Sequence, residues 1–179
     1  DRLQDTVVNI RNWLGYENYD VNLFLVNDDE IQEVNQQSRG VDKPTDILSF
    51  PNFDAIEAGV LGKPLFGDIE DRTLGEMLID VPYIIRTCQQ DASLLEEDSD
   101  DEWEYDDRGV APSLEKVSEP ETRLHMLIVH GMLHLVGYDH EEDVDYELMV
   151  TKEDELLRYL GLPTASKDSS TPDASASLP

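Results

Sequence analysis

With 179 residues, 39% of them hydrophobic, the chain is long enough for one domain with its own core but too short for several. No run of eighteen apolar residues exists, which excludes a membrane-spanning helix, and the single cysteine, Cys88, excludes an internal disulfide framework. The net charge of −28 argues against a surface that binds nucleic acid throughout, and the unpaired Cys88 fits a reducing compartment and a place in the core.

The first two predicted elements are an amphipathic helix and a strand. Apolar residues spaced four, three and four apart mark the helix: Leu3, Val7, Ile10 and Leu14. Residues 21–26 are mostly apolar at successive positions, as in a strand that is buried on both faces. The pattern therefore predicts that this strand lies inside a sheet.

A second helix follows this strand directly. Asn27 or Asp28 can cap its first turn, and we expect it to continue to about Ser38. Ile31 and Val34 are its predicted inward-facing residues.

Two further strands and a third helix are predicted in the middle of the chain. Residues 46–50 form a strand after Pro44, and residues 52–72, with three glycines and a proline, are expected to form a long irregular loop. Residues 74–79 form the next strand. Pro82 suits the first turn of a helix over 80–90. The predicted core residues of this helix are Ile84, Ile85 and Cys88.

The last two helices follow an acid-rich segment. Ser118 and Glu121 have the spacing of a capping box, which predicts the start of a helix there. Its expected core residues are Leu124, Leu127, Ile128 and Leu135. A final helix ends before Gly161. The apolar stripe predicted for this final helix consists of Val144, Leu148, Leu156 and Leu160.

Strands separated by helix-length connections predict a single domain of the α/β (α+β) class, a small mixed β-sheet packed with about five helices. We place this domain at residues 1–162 and predict a disordered tail at 163–179. Residues 91–119 carry 12 acidic and two basic side chains, so we predict a mobile acidic insert at about 91–117. A solvated loop is favoured over a partner-binding segment, although Trp103 and Tyr105 could dock onto a partner.

Three of the four histidines fall within eleven residues. His130 and His134 are four apart and share one face of a helix, and Gly137 permits a turn that returns His140 to the same point. Three neutral imidazoles suit Zn²⁺ and leave a fourth coordination position open, as a catalytic zinc ion requires. His130, His134 and His140 are therefore the predicted ligands of one zinc ion per chain, and their helix forms the metal cleft.

The same spacing occurs in zinc proteases of the HExxHxxGxxH type, in which a glutamate follows the first histidine as the general base. Gly131 stands at that position here and can transfer no proton, so a protease is disfavoured. His125 lies about 140° round the helix from His130 and is expected to be structural or solvent-facing. Asp139 either orients a ligand histidine or completes the turn.

Three blocks of sequence resemble the YbeY family of metal-dependent endoribonucleases. The first is HGMLHLVGYDH at residues 130–140, and the second is RGVDKPTDILSFP at residues 39–51. The third, LGEM at residues 74–77, is similar to the family's LGDI element, with Glu76 in place of aspartate. In order, the blocks span most of residues 1–160.

The resemblance implies a zinc-dependent endoribonuclease that cleaves single-stranded RNA in ribosomal RNA maturation, with Arg39 and His130 as catalytic residues. The implied partners are precursor ribosomal RNA and the ribosomal subunit or its proteins, with no membrane. The expected location is the cytoplasm, or a mitochondrion or plastid if a transit peptide has been removed.

The charge of −28 leaves an alternative open, an acidic ribosome-assembly factor whose zinc is structural. RNA binding would need a local basic groove around Arg39 and Lys43, with Arg123 as a further candidate. A fourth protein ligand on the metal would favour the assembly factor.

Overall fold

The computed structural model describes residues 2–65, 72–96, 114 and 117–164. Five helices and five strands occupy these ranges. The helices are α1 (Arg2–Trp13), α2 (Asp28–Arg39), α3 (Val81–Glu96), α4 (Pro120–Leu135) and α5 (Asp143–Leu160). The strands are β1 (Asp20–Val26), β2 (Ile47–Pro51), β3 (Phe53–Glu57), β4 (Val60–Pro64) and β5 (Thr73–Asp80).

Three strands form a mixed sheet in the order β1-β5-β2. The central strand β5 runs parallel to β1 and antiparallel to β2, and β3 pairs with β4 in a separate two-stranded hairpin. The small mixed sheet and the five helices confirm the predicted α+β class.

Helix α4 lies at the centre of the core. Most of its residues between Met126 and Leu135 are buried, and its inner face packs on the sheet beside Met77 and Ile79 of β5. A helix buried on nearly all sides cannot shift without opening the core, so α4 is a rigid support for the side chains that it carries.

The prediction of an internal position for β1 is wrong. Within the described part of the chain β1 pairs only with β5 and forms the edge of the sheet, and Phe24 and Leu25 are 47% and 55% exposed. An apolar run indicates a strand, but the pairing on either side of that strand depends on residues distant in sequence.

The predicted loop at 52–72 is also wrong in part, because residues 53–64 form the β3–β4 hairpin. Ala58 and Gly59 make its two-residue turn, and Gly59 has a φ of +80°. Tyr16 fixes this turn by donating its hydroxyl hydrogen bond to the carbonyl of Gly59 (2.7 Å). The sequence Ala-Gly is a weaker hairpin signal than Asn-Gly or Asp-Gly, so the strands were not recognised.

Helix α2 begins as predicted. The side chain of Asn27 accepts hydrogen bonds from the backbone N–H groups of Asp29 and Glu30, and the Glu30 carboxylate accepts in return from the Asn27 N–H. The helix ends at Arg39, followed by Gly40 at a φ of +73°.

Three details of the later helices differ from the predictions. The cap of α4 is Glu119 instead of Ser118, because Pro120 takes the first helical position and the residue before it becomes the cap. Ile85 of α3 is exposed. In α5 Val144 and Leu148 are exposed, whereas Leu156 is buried as predicted; the buried residues of the helix are Met149, Glu153, Leu156 and Leu157.

The acidic insert predicted at about 91–117 falls mostly outside the described residues, as do Trp103, Tyr105 and the tail from residue 165. Its boundaries were too wide, because residues 91–96 continue α3 and Leu114 and Val117 are buried in the core. Cys88 is buried as predicted, and burial raises the pKa of its thiol. None of the described helices has the length and hydropathy needed to cross a membrane.

Candidate metal centre

Three imidazole rings meet at the C-terminal end of α4. The Nε2 atoms of His130 and His134 lie 3.1 Å apart, and the ligand nitrogens of these two rings and of His140 all lie within 4.8 Å of one another. Zinc bonds imidazole nitrogens at about 2.0–2.1 Å, so two nitrogens on one ion are separated by roughly 3–3.5 Å. The three side chains are therefore within reach of one ion after small rotations.

The turn after α4 brings His140 back to the helix. Gly137 adopts a φ of +88°, and its N–H and that of Tyr138 bond to carbonyls in the last turn of α4. A Cβ at position 137 would lie 2.4 Å from the Cβ of Ala55 in β3. Glycine is required there both for the backbone conformation and for the close approach of the hairpin.

Hydrogen bonds at the opposite ring nitrogens orient two of the ligands. The Nδ1–H of His134 donates to the carbonyl of Tyr138 (3.0 Å), and that of His130 donates to Oε1 of Glu153 (3.2 Å). Donation from Nδ1 leaves an unprotonated Nε2 on each ring, and these two lone pairs face each other. A cation between them relieves that repulsion, so the donor set fits a metal ion.

The surroundings of the cluster favour the neutral forms of His134 and His140. Burial and the neighbouring rings of His130 and His140 together lower the pKa of His134 to about 3. The pKa of His140 is also lowered, first by burial and then by His130. Only a neutral imidazole has a lone pair for a metal, so these pKa shifts favour coordination over protonation near neutral pH.

Position 131, the site of the general base in the zinc proteases of similar spacing, faces the sheet. A Cβ there would lie 2.7 Å from Ile47 Cδ1 and Met77 Sδ and 3.0 Å from Ser49 Oγ. A glutamate at this position would place its carboxylate in the core, away from the metal centre. The geometry agrees with the prediction that the chain does not use a protease mechanism.

The structure places the other candidate residues as follows. Arg39 is exposed at the end of α2, and its guanidinium makes no hydrogen bond or ion pair with the described residues.

His125 points away from the cluster and bonds to the Thr6 hydroxyl (2.8 Å), as a structural histidine would. The Asp139 carboxylate accepts from the His140 N–H, so it completes the turn. Glu76 is exposed on β5 and bonds to Asn22 (3.4 Å).

Glu153 belongs to the helix that follows the histidine block in the family resemblance, but sequence reasoning assigned it no role at this site. Glu153 is buried on the inner face of α5, between the buried residues Met149 and Leu156. A charged residue on an apolar stripe was the available signal, because a carboxylate is seldom buried without a partner.

Comparison with known proteins gives one consistent family. The sequence model of the family described as Endoribonuclease YbeY matches residues 2–103 and 110–161. A relative of that name from Desulfitobacterium hafniense is 34% identical over 146 residues, 82% of this chain and 74% of the relative. The Homo sapiens Endoribonuclease YbeY is 28% identical over 165 residues, 92% and 82% of the two chains. The solution structure of a Thermotoga maritima protein is 25% identical, with a TM-score of 0.45 over 98% of this chain and 90% of that one.

Proposed function

Because the chain belongs to the YbeY endoribonuclease family, we propose that it is a zinc-dependent endoribonuclease that cleaves single-stranded RNA in ribosomal RNA maturation and ribosome biogenesis. The observation that carries this proposal is the convergence of three imidazoles at one end of α4, where the pKa values of His134 and His140 are lowered. We place its action in the cytoplasm or in an organelle that contains ribosomes.

In the proposed mechanism His130, His134 and His140 would hold one zinc ion per chain. A zinc ion there would supply Lewis-acid chemistry, the activation of water and the polarisation of the scissile phosphate. Two hydrogen bonds within the protein orient the histidine rings: the Tyr138 carbonyl orients the ring of His134, and the Glu153 carboxylate orients the ring of His130. His130 is catalytic in this sense, as a ligand.

Arg39 is the proposed phosphate clamp. A guanidinium can donate two parallel hydrogen bonds to a phosphate and offset the negative charge that develops in phosphoryl transfer. The exposed guanidinium of Arg39 has no acidic partner among the described residues, so an RNA phosphate would not have to displace a carboxylate of those residues from it. Eight residues later the chain enters β2, whose Ile47 and Ser49 pack against α4 at Gly131.

Five lysines and arginines of the described ranges form no ion pair there. Arg11 donates to the carbonyl of Tyr19, and the other four are exposed and available to RNA: Arg39, Lys43, Lys63 and Arg72. The earlier suggestion that Arg123 joins a basic groove is wrong. Arg123 is buried and pairs with Asp91 (2.6 Å). The acidic surface is instead suited to basic partners, so we propose that the ribosomal subunit or its proteins bring the enzyme to RNA.

The assembly-factor alternative is less well supported by the site. A structural zinc ion has four protein ligands, and among the described residues the cluster contains three. His134 and His140 are only partly buried, which suits a fourth position taken by water or substrate.

Metal analysis combined with RNA cleavage tests the proposal. The purified protein is expected to hold one zinc ion and to cut single-stranded ribosomal RNA, and His134→Ala is expected to lose both properties. His125→Ala is the matched control, because it changes a histidine of the same helix that bonds to Thr6. A wild-type protein with zinc, no cleavage and tight binding to ribosomal proteins would favour the assembly factor.

A further inference from the structure

Glu153 is a buried carboxylate in direct contact with a metal-centre histidine. Its side chain is 4% exposed, and Oε1 lies 3.2 Å from Nδ1 of His130, which is itself buried. The residues flanking it on the inner face of α5, Met149, Leu156 and Leu157, are apolar and buried. No described lysine or arginine forms an ion pair with Glu153. The carboxylate therefore has no compensating charge other than the histidine and whatever the histidine binds.

A lone carboxylate in such a place is costly unless it is hydrogen-bonded and electrostatically compensated. Replacement by an apolar residue would fit the rest of this stripe. Both requirements are met if His130 donates from Nδ1 and holds a cation at Nε2. The Glu153–His130 hydrogen bond is therefore explained by a function at the metal centre and is not explained by packing.

We propose that Glu153 is a positioning residue for the metal: it fixes the Nε2-ligating tautomer of His130 and increases the basicity of that ring. This inference rests on the proposed function, because it assumes that the three histidines bind zinc. His134 is held by the neutral carbonyl of Tyr138, so the two helical ligands are not equivalent. A negative acceptor strengthens donation to a metal more than a neutral one does.

The link also joins two helices through the site. His130 belongs to α4 and Glu153 to α5, so zinc bound at His130 is expected to stabilise the packing of α5 as well. Loss of the contact would leave His130 free to rotate and to take the other tautomer.

The test is zinc affinity by competition with a chromophoric chelator, measured on the full chain. Glu153→Leu removes the acceptor while suiting the apolar stripe, and it is expected to weaken zinc binding by about 10–100-fold. Glu153→Gln keeps a neutral acceptor and is expected to lose less than about tenfold. Glu155→Gln is the control, because Glu155 is exposed on the same helix and pairs with Lys152.

A second measurement separates positioning from packing. The Nδ1–H proton of His130 is expected to be visible by NMR in the zinc-bound wild type, to remain in Glu153→Gln and to be lost in Glu153→Leu. Zinc affinity in Glu153→Leu equal to that of the wild type would overturn the role of Glu153 and leave the proposed function standing. The same would follow if Glu153→Gln and Glu155→Gln lost equal amounts of zinc affinity. Failure of the wild type to bind zinc would overturn this inference together with the proposed metal, and RNA cleavage by that zinc-free protein would spare the nuclease activity.

Discussion

Asp80, the last residue of β5, and Asp28, in the first turn of α2, interact electrostatically although both are acidic, and each buries a carboxylate oxygen that has no hydrogen-bond partner among the described residues. Asp80 is fully buried, and one of its oxygens accepts from the Tyr83 N–H (2.9 Å) at the start of α3. Asp28 also pairs with Arg86 (2.8 Å). Burial and, to a smaller extent, the neighbouring Asp28 raise the pKa of Asp80, the Tyr83 N–H and Arg86 oppose the rise, and the net pKa is about 6.

This carboxyl pair predicts a pH-dependent term in stability. The folded-state pKa of about 6 lies above 3.8, the ordinary value of an aspartate carboxyl, so the folded state binds the proton more tightly. The contribution of this group to the free energy of unfolding is fully present below about pH 4 and is lost as the pH rises through 6. Its size is on the order of 3 kcal/mol.

Asp80→Asn tests this term, because the amide stays neutral at every pH in this buried position. We expect the variant to be more stable than the wild type at pH 8 and equal to it near pH 4, as measured by urea denaturation. Asp20→Asn, at an exposed position, is the control. Parallel stability curves for wild type and Asp80→Asn would contradict the raised pKa of Asp80.

Gly131→Ala is expected to destabilise the fold by about 1–2 kcal/mol. The added methyl overpacks the contact with Ile47, Met77 and Ser49, and this outweighs the better helix propensity of alanine. Gly131→Glu is expected to prevent folding and to give no peptidase. Thermal melts compared with those of Gln90→Ala, an exposed change in α3, provide the measurement. If Gly131→Ala were more stable than the wild type, the side chains of Ile47, Met77 and Ser49 would be able to move aside for a methyl group at little cost.

Arg39→Ala is expected to retain zinc and fold while RNA cleavage falls by about 10²-fold or more, the scale seen when one group that stabilises transition-state charge is removed. Arg39→Lys is expected to be poor as well, because a point charge does not reproduce bidentate contact. Rates are measured at one stated salt concentration, since the acidic protein and RNA repel each other.

Arg158→Ala is the matched control for Arg39, because Arg158 also lies in the last turn of a helix and pairs with Asp154 (3.3 Å). Full cleavage by Arg39→Ala would remove this arginine from the mechanism.

Removal of residues 99–111 is expected to preserve a cooperative melt, because this acid-rich stretch contains too few apolar residues to offset its ordering entropy. Leu114→Ala, by contrast, is expected to cost about 2–5 kcal/mol, since Leu114 is buried in the core. A collapse of the transition on deletion would instead assign Trp103 and Tyr105 to the folded domain.

The elements that could be predicted from sequence are those whose signal is local. The cap at Asn27, the α1 stripe and the spacing of His130 and His134 all act within one or two helical turns, where covalent geometry sets which side chains meet. The return of His140 was predictable for the same reason, because one glycine turn connects it to α4.

The rest depended on contacts between distant segments. Whether residues 21–26 lie inside the sheet or at its edge depends on which strands pair with them, and the hairpin is recognisable once Gly59 meets Tyr16. The buried face of α5 was misjudged because the helix turns a carboxylate inward.

The sequence by itself determined the family, the set of three histidines that could hold a metal and the lack of a glutamate at position 131, because these follow from residue types at short, fixed spacings. Only the tertiary structure decided why position 131 must be glycine and which groups hold the ligand rings, with Glu153 on His130 and the Tyr138 carbonyl on His134. Packing between α4, α5 and the sheet brings together residues up to 84 positions apart, as in Gly131 and Ile47, and no local pattern encodes that proximity.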